Sequence, residues 1–128
     1  MPNSLKLRIL LVDDDKIVRK LISGMLTALG YDAVTAKDGD EALRIFASDG
    51  GFQLILTDIN MPKMDGFQLS LRLKQMNPVI PIIAITGENP DSVLPNIGTS
   101  GISCALFKPF NIKALTNTIE NLLPDLRG

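Results

Sequence analysis

"FQLILTDINMPKMDG", residues 52–66, sets a nearly pure apolar run directly against an aspartate and then against two turn-forming pairs. "FQLILT" (52–57) is too apolar, and too little alternating, for a strand with one wet face. It reads as a strand covered on both sides, as in a parallel sheet. Such a strand has no use for a carboxylate unless its far end opens onto a site, so Asp58 marks a strand end with chemistry. Met61-Pro62 and Asp65-Gly66 then read as the turn and the helix cap that follow.

The rest of the chain repeats this grammar. "LRILLV" (7–12) is a first aliphatic strand, closed by Asp13, Asp14 and Asp15. From Lys16 the period becomes helical, with Ile17, Leu21, Met25 and Ala28/Leu29 on one face and Gly30 suited to the helix end. "DAVTA" (32–36) is a second strand and "DEALRIFA" (40–47) a second helix, closed by Gly50-Gly51. "VIPIIAIT" (79–86) is the fourth strand; Pro81 belongs near its beginning, because proline gives the ladder no N–H. "CALF" (104–107) is the fifth strand, and "NIKALTNTIENLL" (111–123) the last helix, with Asn111 as its N-cap. "FQLSLRLK" (67–74) alternates like a strand, yet Leu69, Leu73 and Met76 also fit a helical face and Asp65 can cap it. Parallel neighbours need a crossover, usually helical, so the segment is expected to be helix.

The fold class is therefore α/β, five β–α units with a doubly wound parallel sheet. Ligands of such sheets bind at the carboxyl ends of the strands. Here those ends carry Asp13, Asp14, Asp58, Thr86 and Lys108.

Bulk composition narrows the function. At 128 residues the chain fits one domain, and its net charge of −1 recommends neither nucleic acid nor an anionic membrane surface. No apolar stretch approaches the roughly 18–20 residues of a membrane span, and no signal peptide opens the chain, so a cytoplasmic location is expected. The single cysteine, Cys104, reads as a small core residue. The absence of histidine excludes imidazole acid–base catalysis and imidazole metal ligation.

Three crowded carboxylates need compensation, which a hard cation with oxygen ligands or a nearby lysine supplies. A carboxylate can attack phosphorus, and phosphoryl transfer needs mainly positioning and charge neutralisation. The set suits reversible phosphorylation of an aspartate.

From "ILLVDDD" through "LTDINMPKMDG" and "IAITG" to "LFKPF", the sequence resembles the receiver domains of two-component response regulators. The resemblance implies a flavodoxin-like fold with strand order 2-1-3-4-5. It implies phosphorylation of Asp58 by a phosphohistidine on a sensor histidine kinase or histidine phosphotransfer protein. It also implies a Mg²⁺ (or Mn²⁺) site in which Asp14 and Asp58 bind directly, Asn60 offers its backbone carbonyl and Asp13 acts through water. Thr86 would bond a phosphoryl oxygen, Lys108 would form the ionic contact, and the Lys108-Pro109 bond would be cis. Residues 1–128 would form one stand-alone receiver domain without an output domain, signalling to an unnamed partner.

Two features depart from that pattern. Many receivers carry Tyr or Phe three positions before the lysine, a ring that turns inward on phosphorylation; here that residue is Ala105. The fourth connection, "GENPDSVLPNIGTSGIS" (87–103), is rich in proline and glycine, and Pro95 inside a helix would cost about 3 kcal/mol. The expectation is a short or irregular fourth helix that serves as the main switch and offers Val93, Leu94 and Ile97 to a partner. Two other classes compete. An aspartate-nucleophile phosphatase would need a second aspartate two residues after the first, where Asn60 stands, so the protein is not expected to be an enzyme. A phosphate-independent binding module with a relic pocket is the alternative, for which only Ala105 and the broken fourth helix speak.

Overall fold

The computed structural model describes residues 6–127, with side chains described as far as Leu122. Strands and helices alternate: β1 (Arg8–Val12), α1 (Lys16–Ala28), β2 (Asp32–Ala36), α2 (Gly39–Asp49), β3 (Leu54–Asp58), α3 (Gly66–Met76), β4 (Ile82–Thr86), α4 (Pro90–Ser100), β5 (Cys104–Phe107) and α5 (Ile112–Arg127). The strands form one sheet in the order β2-β1-β3-β4-β5, and every pairing is parallel. β3, in the centre, is buried along its whole length, as its unbroken aliphatic run requires. The core therefore has two halves. Leu10, Ile55, Ile82, Leu69 and Leu73 fill the side covered by α2, α3 and α4, while Ile9, Leu11, Leu56, Ile22, Leu26, Leu115 and Ile119 fill the side covered by α1 and α5.

Local chemistry decides the ambiguous segment after Asp65. The Asp65 carboxylate accepts from Gln68 N–H, and the Gln68 side chain accepts from Asp65 N–H, a reciprocal cap that starts a helix. Leu69 and Leu73 face the core, whereas Met76 is left exposed. Asn111 caps α5 through Ala114 N–H, as the sequence suggests. Pro81 lies just before β4, where its carbonyl accepts from Ile55 N–H. Gly30, at φ +91°, ends α1 with Gly30 N–H donating to Thr27 O and Tyr31 N–H to Leu26 O.

Two expectations are overturned. The buried face of α1 is Ile22 and Leu26 with Val18, Met25 and Leu29, so Ile17 and Leu21 point outward at 79% and 58% exposure. Apolar residues at 17, 18, 21, 22, 25, 26 and 29 offer two overlapping stripes, and only the sheet selects between them. The fourth helix is neither short nor irregular: α4 has 11 residues, as α2 and α3 do. Asn89 caps it through Asp91 N–H, and Pro90 occupies the first helical position, where no N–H is needed. Gly101, at φ +81°, closes the other end, with Ile102 N–H reaching Ile97 O. Pro95 removes one backbone bond, the one to Asp91 O, while Val93, Ile97 and Ser100 turn to the interior. Both caps and that stripe outweigh the missing bond. Val93 is consequently buried in full and is not a docking residue; Leu94 alone of the three expected contacts is exposed.

Candidate functional site

Register brings the polar strand ends together. Val12 pairs with Thr57, so Asp13, one residue on, stands beside Asp58 at the mouth of the sheet. Asp58 pairs with Ile85 and Thr86 with Phe107, which sets Thr86 one step and Lys108 two steps beyond Asp58 on the next two strands. Lys108 N–H donates to Thr86 O at 2.8 Å and ties the last two ends together. The Lys108-Pro109 bond is cis, as the resemblance implies.

Asp13, Asp14 and Asp58 each direct a carboxylate oxygen to within 4.8 Å of the others. Asp13 is 1% exposed and Asp58 7%, while Asp14 lies open to solvent. Lys108 Nζ is 3.5 Å from Asp13 Oδ2 and 3.9 Å from Asp58 Oδ1, so one ammonium serves both buried carboxylates. Asp13 Oδ1 also accepts from Asp15 N–H at 2.9 Å, and Arg19 holds the Asp13 carbonyl at 2.7 Å. Arg19 was not visible as a site residue in the sequence; a lone arginine near the start of a helix carries no distinguishing signal.

The two oxygens of Asp58 differ. Oδ1 accepts from Ile59 N–H at 2.8 Å and faces Lys108. Oδ2 has no protein partner among the described residues, and every fully buried side-chain polar atom among them is satisfied, so Oδ2 keeps contact with solvent. Burial raises the Asp58 pKa to about 6, and the charge of Asp13 adds to the rise, with a smaller push from Asp14; Lys108 and the Ile59 N–H oppose it. The carboxylate is thus ionised at neutral pH but held at high energy.

The "MPKMDG" turn accounts for the two turn-forming pairs that follow Asp58. Lys63, at φ +72°, forms a three-residue turn closed by Met64 N–H on Pro62 O at 2.8 Å. Lysine gives no sequence hint of this left-handed geometry. Gly66 then folds back so that its N–H donates to Ile59 O at 2.8 Å. A Cβ on Gly66 would collide with the Asp58 carbonyl oxygen and stand 2.9 Å from Ile59 Cα. Only glycine lets the loop close on the strand end that presents Asp58.

Thr86 is fully buried, and its Oγ1 accepts from Glu88 N–H at 3.0 Å. A hydroxyl that accepts there still has its own proton to donate. Asn60 is exposed just beyond β3. Ala105 pairs with Ala84 on β4 and packs against the α2–α4 side of the core, with no aromatic ring at that position. Cys104 is half-buried, packs in the other half of the core, and burial pushes its thiol pKa up. Among the described residues no helix is long and apolar enough to cross a membrane.

Comparison with known proteins agrees with this geometry. The sequence model of the response regulator receiver domain matches residues 9–120. The chain is 36% identical over 111 residues to sensor histidine kinase RcsC of Salmonella typhi, covering 87% of this chain and 12% of that protein. It is 35% identical over 117 residues to sensor protein EvgS of Escherichia coli K12, covering 91% of this chain and 10% of that one. The chain therefore spans only a small part of the curated relatives it matches. Among solved structures, chemotaxis protein CheY4 of Vibrio cholerae superposes with a TM-score of 0.86 at 31% identity, covering 91% of this chain and 98% of that one. A receiver domain protein from Clostridium thermocellum gives 0.88 at 26% identity, covering 94% and 97%. With the fold, the acidic strand ends and the matched span in agreement, this chain belongs to the response regulator receiver domain family.

Proposed function

We propose that the protein is a signalling phosphoacceptor in which Asp58 takes a phosphoryl group from a phosphohistidine of a sensor kinase or phosphotransfer protein. The observation that carries this reading is the asymmetry of Asp58: one oxygen held by Ile59 N–H and Lys108, the other unpartnered and open to the pocket. The open oxygen attacks phosphorus, the new P–O bond forms on Asp58, and the P–N bond to the donor imidazole breaks. Its electron pair leaves on the imidazole nitrogen, which takes up a proton. A carboxyl with a pKa of about 6 is mostly ionised at neutral pH, so no separate base is needed. Lys108 offsets the added negative charge, and the Thr86 hydroxyl can donate to a phosphoryl oxygen.

The donor set also fits a hard divalent cation, Mg²⁺ or Mn²⁺. Three carboxylate oxygens converge within 4.8 Å, more negative charge than Lys108 alone neutralises. Asp14 and Asp58 would bind it directly, the Asn60 carbonyl would complete the protein ligands, and Asp13 would act through water. When bound, the cation supplies positive charge to the phosphoryl oxygens.

Asn60 leaves no acid two residues after Asp58, so turnover of an external phosphate ester is not part of this reading. Ile17 and Leu21 are large and exposed on α1. Leu21 borders an apolar hollow of about 180 Å³ that also involves Met25, Pro109 and Phe110 beside Lys108. That rim suits the docking of a phosphohistidine donor, whose imidazole would then approach Asp58.

The test is transfer of radiolabel from a phosphorylated histidine phosphotransfer protein in the presence of Mg²⁺. Label on the parent and none on Asp58→Asn supports the assignment. Equal labelling of both, or specific binding of a partner regardless of phosphorylation, favours the phosphate-independent module.

A further inference from the structure

α2 and α3 pack side by side on the face of the sheet opposite α1 and α5, and a groove of about 440 Å³ runs between their outer surfaces. Its floor is apolar, from Leu43 and Ala47 on α2 and Met76 on α3. Arg44 stands on one wall and Arg72 on the other. Arg72 also borders an adjoining hollow of about 250 Å³ that includes Leu71 and Lys63. Met76 and Leu71 are 45% and 48% exposed, more than an interior role explains.

Charge chooses the occupant. Among the described residues, the guanidinium groups of Arg44 and Arg72 and the Lys63 ammonium make no ion pair. Two arginines outside any ion pair therefore border one apolar trough in a chain whose net charge is −1, with Lys63 beyond it on the adjoining hollow. Each of the two helices has 11 residues, about 16 Å, which is the length of three turns of a third helix laid between them. Methionine adapts its shape to an incoming apolar side chain, and arginine pairs with carboxylates in a fixed fork.

We propose that the α2–α3 groove docks an amphipathic helix of a partner protein whose apolar stripe is flanked by aspartate or glutamate. The apolar stripe covers Leu43, Ala47 and Met76, and the flanking carboxylates meet Arg44 and Arg72. The groove lies away from the α1 rim and shares no residue with the acid cluster, so it can be occupied while a phosphoryl donor is bound.

The experiment uses the ¹⁵N-labelled full chain and three alanine-rich helical peptides of about 18 residues, alike in leucine stripe and flanked by Glu, Gln or Lys. The Glu peptide is expected to shift amides of residues 43–47 and 71–76 at low salt. It should bind about tenfold more tightly than the Gln peptide, and the Lys peptide should not bind. In the Arg44→Glu/Arg72→Glu variant the order should reverse, with the Lys peptide now binding, which separates docking from misfolding. Equal binding of the Glu and Gln peptides, shifts confined to α1, or no shifts at about 1 mM peptide would overturn the proposal. So would sedimentation showing that the groove is closed by a second copy of the chain.

Discussion

Removing the charge of Asp58 should stabilise the metal-free protein, by an amount that depends on pH. Burial and Asp13 raise the Asp58 pKa from its ordinary 3.8 to about 6. In the unfolded chain the carboxyl ionises near 3.8, so between these values the native state holds more protons than the unfolded one. The stabilisation that Asp58 contributes is complete below pH 3.8 and is lost as pH rises through about 6. The full loss corresponds to about 3 kcal/mol. Asp58→Asn avoids it while keeping the side-chain volume. The variant should gain about 1 kcal/mol over the parent at about pH 4.5 and about 3 kcal/mol at about pH 8. With an unfolding entropy of roughly 2.1 cal/mol/K per residue, 3 kcal/mol in a chain of 128 residues raises the melting temperature by roughly 10 °C. Urea denaturation at several pH values, in chelator, measures it. Added Mg²⁺ should restore stability to the parent and much less to the variant. A difference that stays flat across this pH range, or a less stable variant at its upper end, would refute the reasoning: Asp58 would then be a structural hydrogen-bond acceptor.

Gly66→Ala should lower stability by about 2 kcal/mol or more, because its Cβ would meet the Asp58 carbonyl oxygen and Ile59 Cα; unchanged denaturation would contradict the close approach. Lys108→Ala should raise the Asp58 pKa above about 6, read by ¹³C titration of the carboxyl, and should permit phosphorylation while uncoupling it from structural change. Identical spectral responses to beryllofluoride in variant and parent would remove Lys108 from the coupling role. Pro95→Ala should stabilise α4 by about 1–3 kcal/mol by restoring the bond to Asp91 O, seen as slower amide exchange over residues 90–100. Faster exchange would show that proline is favoured there for another reason.

Much of the site could be read from strand ends alone. An aliphatic strand that stops at Asp58 and a capping Asp65 leave few alternatives, and both stand where their chemistry requires. The order of the strands is different, since nothing in the periodicity of five similar segments fixes which neighbours pair; that came from resemblance. The buried face of α1 misled because seven apolar positions make two stripes. The choice between them belongs to the sheet surface made by Ile9, Leu11 and Leu56, and not to the helix itself. The α4 segment misled because proline and glycine argue against helix by composition. Their places, Pro90 at the first turn and Gly101 past the last, instead define one. The left-handed Lys63 had no signal, because asparagine or glycine is the residue expected there.

The central claim, that Asp58 is the phosphoacceptor, is tested most directly by intact mass after treatment with acetyl phosphate. The parent should gain the mass of one phosphoryl group with Mg²⁺ and little in chelator, and should lose it in mild base, as an acyl phosphate does. Asp58→Asn should gain nothing. A parent that stays unmodified, or an Asn variant that gains the same mass at the same rate, would contradict the account.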